Sequence, residues 1–238
     1  MIVSIHQPHF LPWLGYFNKA LRSDVFIWLH SVQYRKNYFQ NRTSIKNVNE
    51  QPLWLTLPVH AKLGMNIDEV TIATLGWREK VFRTVEQCYC KTPYFTTCWP
   101  SIQTSIEEAH DSLDDVNWKT FAAVLTLLGA DAVRVERMAN LAVTSNDPTI
   151  RLVEACKLVG ATHYIAGRGG QNYLQVEEFQ KEGIGVVWQE FDPNRVVYKQ
   201  AGKVFVPGLS VIDCLFNTGP QETRSLALNA WVPTPEVK

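Results

Sequence analysis

The chain has 238 residues, 46% of them hydrophobic and 19% charged, with 23 lysines and arginines against 23 aspartates and glutamates. Such a composition describes a globular protein and argues against disorder, and the length suits one large α/β domain or two small ones. A net charge of zero gives no global basic footprint, so a surface for duplex nucleic acid is not indicated. No stretch approaches the ~20 apolar residues of a membrane span. No basic segment followed by a long apolar run opens the chain, so no signal peptide is expected and the cytoplasm is the expected compartment.

Met1–Ile5 is a short apolar run that predicts a buried first strand. It ends in a polar, proline-bracketed turn, His6-Gln7-Pro8-His9-Phe10-Leu11-Pro12, after which a helix is expected from Trp13 to about Arg22. Val25–Leu29 predicts a second buried strand. A turn at the carboxyl end of a strand is where α/β folds bind ligands. Many nucleotide-binding transferases carry His-x-Gly-His at this kind of helix start. Trp13-Leu14-Gly15-Tyr16 occupies the analogous place with both histidines replaced, and Gly15 would let a nucleotide approach the backbone. Alternatively, Trp13 and Tyr16 are core aromatics of an amphipathic helix.

The segment from His30 to Thr43 is polar and aromatic, without proline or glycine, and reads as a surface or binding loop. Arg42–Lys46 and Leu53–Val59 alternate apolar and polar residues around a hairpin turn at Val48–Gln51. Lys62–Asn66 is a second turn, and Glu69–Ala73 a short strand. From Trp77 the period becomes helical: Trp77–Cys90, then Ser101–Asp111 after the breakers Pro93 and Pro100, then Leu113–Leu128 with Gly129 as a C-cap. Ala132–Glu136 returns to strand. Asp147-Pro148 opens a helix over Thr149–Val159 that ends at Gly160. His163–Ala166 is a strand, Gly167–Gly170 a glycine-rich turn, Tyr173–Glu182 a helix capped by Gly183, Ile184–Glu190 a strand and Leu209–Phe216 a last helix. The tail Val232–Lys238 is expected to fray.

Five constellations bear on chemistry. His6 and His9, three apart at a strand end, suit proton transfer near neutrality and a substrate-orienting donor; alternatively one caps the neighbouring helix and the other is exposed. Gln33, Tyr34, Asn41, Arg42 and Lys46 lie in a stretch whose cations suit phosphate oxygens and whose aromatics, with Tyr38 and Phe39, suit stacking; alternatively it is a solvated basic loop. Gly167, Arg168, Gly169, Gly170, Asn172 and Tyr173 lie between a strand and a helix, where backbone amides can approach an anion, or form only a tight turn. Asp213 and Asn217 share a helix face and line a site or hold a neighbouring loop. Cys88, Cys90 and Cys98, with His110, lack metal-ligand spacing and read as reduced, packed thiols. No metal site, serine-hydrolase order or cofactor motif is evident in the sequence.

These residues also resemble a known family. Ile5–Phe17, Val32-Gln33-Tyr34, Phe39–Arg42, Ile45-Lys46, Trp54–Thr56, Pro58-Val59, Tyr164–Gly167, Asn172–Leu174, Leu209–Asp213 and Leu215–Asn217 look like the WbqC-like family, and the resemblance covers nearly the whole chain. The chain departs from the pattern at His30 and Ser31, where members usually carry two acidic residues, and at Arg168-Gly169, where proline and a small residue are common. Members resemble proteins encoded in clusters for bacterial surface polysaccharides, including those whose amino sugars carry aminoacyl groups.

The expectation is therefore one α/β domain over 1–238, with a mainly parallel sheet that is Rossmann-like or nucleotidyltransferase-like, a β-hairpin excursion and a helical insertion at 77–129. The resemblance implies a transferase placing an acyl or aminoacyl group on the amine of a nucleotide-linked amino sugar. His6 or His9 would take the amine proton, Arg42 and Lys46 would hold phosphates, and Gln7 and Gln33 would orient the substrate. The Gly167–Gly170 turn would hold a second anionic group. The partners would be the nucleotide-linked sugar and an activated acyl or aminoacyl donor. Two other readings are a nucleotidyltransferase or ATP-dependent ligase, marked by pyrophosphate release, and a non-catalytic nucleotide or sugar binder.

Overall fold

A computed structural model describes residues 1–229 of the chain, so the expected fraying of Val232–Lys238 lies outside the described residues. Five strands form a wholly parallel sheet: β1 (Ile2–His6), β2 (Val25–Trp28), β7 (Arg134–Arg137), β8 (His163–Ala166) and β9 (Gly185–Trp188). Their spatial order is β7-β2-β1-β8-β9. From β1 the chain moves outward through β2 to β7, then returns to the other side of β1 for β8 and β9. The direction of winding thus reverses between β1 and β8, which pair directly, with Val3 opposite Tyr164 and Ser4 opposite Ile165.

Burial on both faces explains the apolar strand sequences. Alternate residues of β2 go to opposite layers: Val25 and Ile27 pack in one core, Phe26 and Trp28 in the other. The first core also takes Leu152, Val153 and Cys156 of helix α5 (Pro148–Leu158) and Phe179 of α6 (Val176–Lys181). The second and larger core takes α1 (Leu14–Leu21), α2 (Trp77–Tyr89), α3 (Phe95–Glu107) and α4 (Leu113–Leu127), together with α7 (Val211–Thr218) and α8 (Pro220–Asn229). Helices therefore cover both faces of the sheet, as a doubly wound α/β fold requires. Helix α1 is buried over seven of its eight residues, because β2 lies on one side of it and α8 on the other.

Between β2 and β7 runs the excursion. β3 (Arg42–Lys46) and β4 (Pro52–Thr56) form an antiparallel hairpin, and β5 (Val59–His60) with β6 (Thr71–Ile72) a second small ladder. Leu53–Val59, expected as one strand, is split around Pro58, which cannot donate to a ladder. Helix α3 runs straight through Pro100, where the sequence predicted a break. Only the bond to the carbonyl four residues earlier is lost, and burial of Phe95, Cys98, Trp99, Ile102 and Ile106 along one face outweighs it. The glycine-rich segment does not run directly into a helix from Tyr173. A 3-10 turn spans Arg168–Asn172, and α6 begins only at Val176. Of the three thiols expected to be packed, Cys98 is buried and Cys88 partly buried, but Cys90 is exposed; Cys156 and Cys214 are buried as well.

Candidate functional site at the switch point

In open α/β sheets, ligands bind outside the carboxyl ends of the strands where the winding reverses. Here that place is bounded by the end of β1, which continues into His6-Gln7-Pro8-His9, and the end of β8, which continues into Gly167-Arg168. The two turns stand side by side on one edge of the sheet because their strands are parallel neighbours.

The opening turn is held from several directions. The carbonyl of Leu11 accepts from the Thr43 hydroxyl at 3.0 Å and the Ser210 hydroxyl at 2.6 Å, and the Pro12 carbonyl accepts from the amide of Val211 at 2.8 Å. These contacts fix Leu11 at φ 41°, a left-handed conformation that a leucine adopts only when its surroundings impose it. The Gln7 carbonyl accepts from both the Tyr16 hydroxyl and His6 Nδ1–H, each at 3.0 Å. A carbonyl can only accept, so Nδ1 carries the hydrogen and Nε2 of the neutral ring keeps its lone pair.

His6, His9 and Tyr16 form one aromatic cluster. The His6 ring centroid is 4.8 Å from that of His9 and 4.4 Å from that of Tyr16. His6 is half-buried. His9 is only 4% exposed, and neither of its ring nitrogens has a hydrogen-bond partner among the described residues. Burial first, then the neighbouring Lys19 ammonium, pushes His9 down to about 3. Burial, Lys19 and His9 likewise hold His6 well below the ordinary imidazole value, although its bond to Gln7 acts in the opposite sense. Both rings are therefore neutral at physiological pH.

Lys19 is the site residue that the sequence reading missed. It lies on α1, is 2% exposed, and donates to the carbonyl of Ile5 at 3.0 Å. Among the described residues no carboxylate is within ion-pair distance of it. Burial brings its amine down to about 7, with Cys156 of α5 acting weakly the other way. The sequence carries no local sign of this, because a lysine on a helix ordinarily reaches solvent.

The loop after β2 covers this cluster. Tyr38 and Phe39 place their rings 5.5 and 5.7 Å from His9. Gln40, fully buried, accepts from the Arg35 amide at 2.7 Å and donates to the Gln7 side-chain oxygen at 2.9 Å. From the other turn, Tyr173 lies close enough for Arg35 and Tyr38 to influence its ionisation. Arg168 lines a cleft of about 370 Å³ with Glu190, Asp192, Arg195, Leu226 and Asn229. The expected single composite site is thus seen in part: opening turn, loop and Gly167–Tyr173 segment converge on one edge, while that cleft is lined by the last segment without the histidines.

Other expected residues are engaged elsewhere. Lys46 does not present its ammonium to a ligand. It is 4% exposed, donates to the carbonyls of Ala201 (2.6 Å) and Val204, and lies 3.8 Å from Glu50. Asp213 is fully buried and accepts from the Tyr89 hydroxyl at 2.9 Å and the Tyr198 hydroxyl at 2.7 Å, so it holds three segments together. Asn41 is buried and donates to the Leu57 carbonyl at 2.8 Å. Arg42 stacks on Trp54 at 4.2 Å and donates to the Asn37 carbonyl. Gln33 and Tyr34 pair with the turn at Met65-Asn66 through backbone contacts. The space over Gly15 is filled by the indole of Trp13, 2.6 Å from where a Cβ would stand, which removes it as a nucleotide approach. At the positions expected to be acidic, His30 donates through Nδ1 to the Trp28 carbonyl at 3.1 Å, and Ser31 receives the Arg151 guanidinium on its hydroxyl (2.6 Å) and carbonyl (3.0 Å).

Fold and edge together define a doubly wound α/β protein with two neutral histidines and a buried lysine at its switch point. The sequence matches the WbqC-like protein family over residues 7–225, and the chain belongs to that family. It is 31% identical over 225 residues, covering 92% of this chain and 94% of the relative, to "Uncharacterized protein Rv1507c" of Mycobacterium tuberculosis (strain ATCC 25618 / H37Rv). No solved structure matches the chain. No helix among the described residues is long and apolar enough to cross a membrane.

Proposed function

We propose that the protein is a transferase that places an acyl or aminoacyl group on the amine of a nucleotide-linked amino sugar destined for surface polysaccharide. The observation that carries this reading is the state of His6. Its Nδ1–H is committed to the Gln7 carbonyl, so a neutral ring offers Nε2 as a proton acceptor at a ligand-binding strand end. The amine lone pair would attack the activated carbonyl carbon. His6 Nε2 would take the amine proton, and the leaving group would depart with its bonding pair as the tetrahedral intermediate collapses. His9, buried without a partner, would orient the substrate through one ring nitrogen.

The filled space over Gly15 argues against the nucleotidyltransferase reading, which rested on the Trp13–Tyr16 segment. The test is to incubate the protein with nucleotide-linked amino sugars and either acyl thioesters or amino acid plus ATP, then weigh the sugar by mass spectrometry. An acyl or aminoacyl mass increment on the amine is the expected result. Pyrophosphate release with no increment would favour nucleotidyl transfer, and tight sugar binding without turnover of any donor would favour a binder.

A further inference from the structure

Lys19 is 2% exposed and, among the described residues, has no carboxylate within ion-pair distance, so a full charge on its amine awaits an anion. Among the described residues Lys19 makes one hydrogen bond, to Ile5, and an ammonium has three donors. Its surroundings are His6 and His9 from the opening turn and Cys156 from α5, with no carboxylate among the described residues. The second observation is Gly167. Its backbone, φ −78° and ψ 162°, is ordinary extended chain that any residue adopts, so conformation gives no reason for glycine there. A Cβ at Gly167 would meet a single described neighbour within 4 Å, the Lys19 ammonium nitrogen at 3.9 Å. The missing side chain therefore leaves open the space directly over the amine. The third observation is His9, at the same sheet edge, whose two buried nitrogens lack partners among the described residues.

We infer that Lys19, beneath Gly167 and beside His6 and His9, is a phosphate subsite that receives the diphosphate of the nucleotide-linked sugar. The subsite stands on its own geometry, and the naming of its ligand rests on the function proposed above. A phosphate oxygen over Gly167 supplies the missing counterion and accepts from the amine. Arg168, the next residue, lines the neighbouring cleft with Glu190 and Asp192 and is no part of the subsite. Phosphate is favoured over a lone carboxylate because its larger set of oxygens can accept from the remaining donors of Lys19 and from a His9 ring nitrogen together. The subsite replaces Lys46, whose ammonium is engaged by backbone carbonyls.

The test uses inorganic pyrophosphate, titrated calorimetrically into the full chain at pH 8 in buffers of different ionisation enthalpy. The wild type should bind pyrophosphate and take up a proton, since an amine near 7 is largely neutral at that pH and charges when the anion arrives. Lys19→Met should weaken binding roughly ten- to hundredfold, the range for a lost hydrogen bond to a charged group, and abolish the uptake. Gly167→Ala keeps an allowed backbone and should fold as the wild type does, yet weaken binding comparably by filling the approach. Lys19→Arg serves as a charge-retaining control. Pyrophosphate that fails to bind the wild type, or binds Lys19→Met equally well, overturns the subsite. If acetate and glycine depend on Lys19 while pyrophosphate does not, the phosphate assignment is overturned. Failure of acyl transfer with Lys19-dependent pyrophosphate binding intact would refute the proposed reaction and uphold the subsite.

Discussion

The side-chain amide of Gln40 donates to the side-chain oxygen of Gln7 at 2.9 Å, and with the Phe10 amide, which donates to the Phe39 carbonyl at 3.0 Å, it joins the loop over the histidines to the turn that carries them. Gln40 is fully buried, and its remaining polar atoms accept from the Arg35 amide and from Asn117. Gln40→Ala should lower stability by about 1–3 kcal/mol, because buried partners are left unsatisfied. Amide hydrogen exchange across residues 35–40 should accelerate more than exchange in the sheet. Equal acceleration in both would mean that the bond does not fasten the loop.

His6→Gln should reduce acyl transfer by at least about a hundredfold, within the range for a general acid–base group, while leaving nucleotide-sugar binding within about threefold. Kinetics at saturating donor separate the two effects. Wild-type turnover in this variant would remove His6 as the proton acceptor.

His9 is expected to stabilise the protein when replaced. A buried imidazole with neither nitrogen partnered carries a desolvation cost, so His9→Leu should raise stability by roughly 1–3 kcal/mol and lower turnover. Its folded value, about 3, lies below the unfolded 6.5, so the unfolded state binds the proton first as pH falls. Wild-type stability should therefore decline from about pH 6.5 toward pH 3, and His9→Leu should decline less steeply. Denaturant titrations across that range would show this, and parallel curves for the two proteins would contradict it.

Lys19 gives a slope at the alkaline end. Its amine sits near 7 when folded and near 10.5 when unfolded, so between these values the unfolded chain holds a proton that the folded chain has lost. Stability should rise with pH by up to about 1.4 kcal/mol per unit through that window, until unfolded tyrosines begin to ionise near pH ~10. His6, His9 and Cys156 face the amine; both imidazoles are neutral across the window, and the Cys156 thiol is held at about 12. Lys19→Met should be more stable than the wild type by roughly 2–4 kcal/mol at pH 7 and should lose the slope. A variant that keeps the slope would place its origin elsewhere.

Asp213 should prove structural. Asp213→Ala leaves the Tyr89 and Tyr198 hydroxyls without their shared acceptor and should cost about 2–4 kcal/mol, with pyrophosphate affinity unchanged. Thermal melts and the same calorimetric titration decide it. A stable variant with impaired binding would return Asp213 to the ligand site.

Much of the architecture is written in local pattern. The apolar runs at Val25–Trp28 and His163–Ala166 and the turn at Asp147-Pro148 mark elements that short-range chemistry alone decides. The switch point and its histidines were legible because a polar turn after a buried strand has few structural uses. Lys19 was hidden for the opposite reason: its burial depends on β1, α5 and the turn after β8 closing around it, through Ile5, Cys156 and Gly167, which no local pattern around position 19 reports. Lys46 reads as an available cation and Asp213 stays open between lining a site and holding a loop, because residue type cannot tell whether a charged group finds its partners within the protein. Pro100 misled because helix propensity is overruled where a face as apolar as that of α3 is buried.

The seam between β1 and β8 joins Val3 to Tyr164, 161 positions later in the chain, whereas β1 meets β2 after only 22. Closing the longer loop costs about 1.8 kcal/mol more in chain entropy, and it rewards the chain only once the excursion and the strands beyond it are in place. The phosphate subsite has Lys19 on one bank of that seam and Gly167 on the other. It cannot exist in any partly folded form lacking the seam, so during refolding pyrophosphate capture should appear after tryptophan burial, and a nascent chain should acquire it only when β8 has emerged and docked.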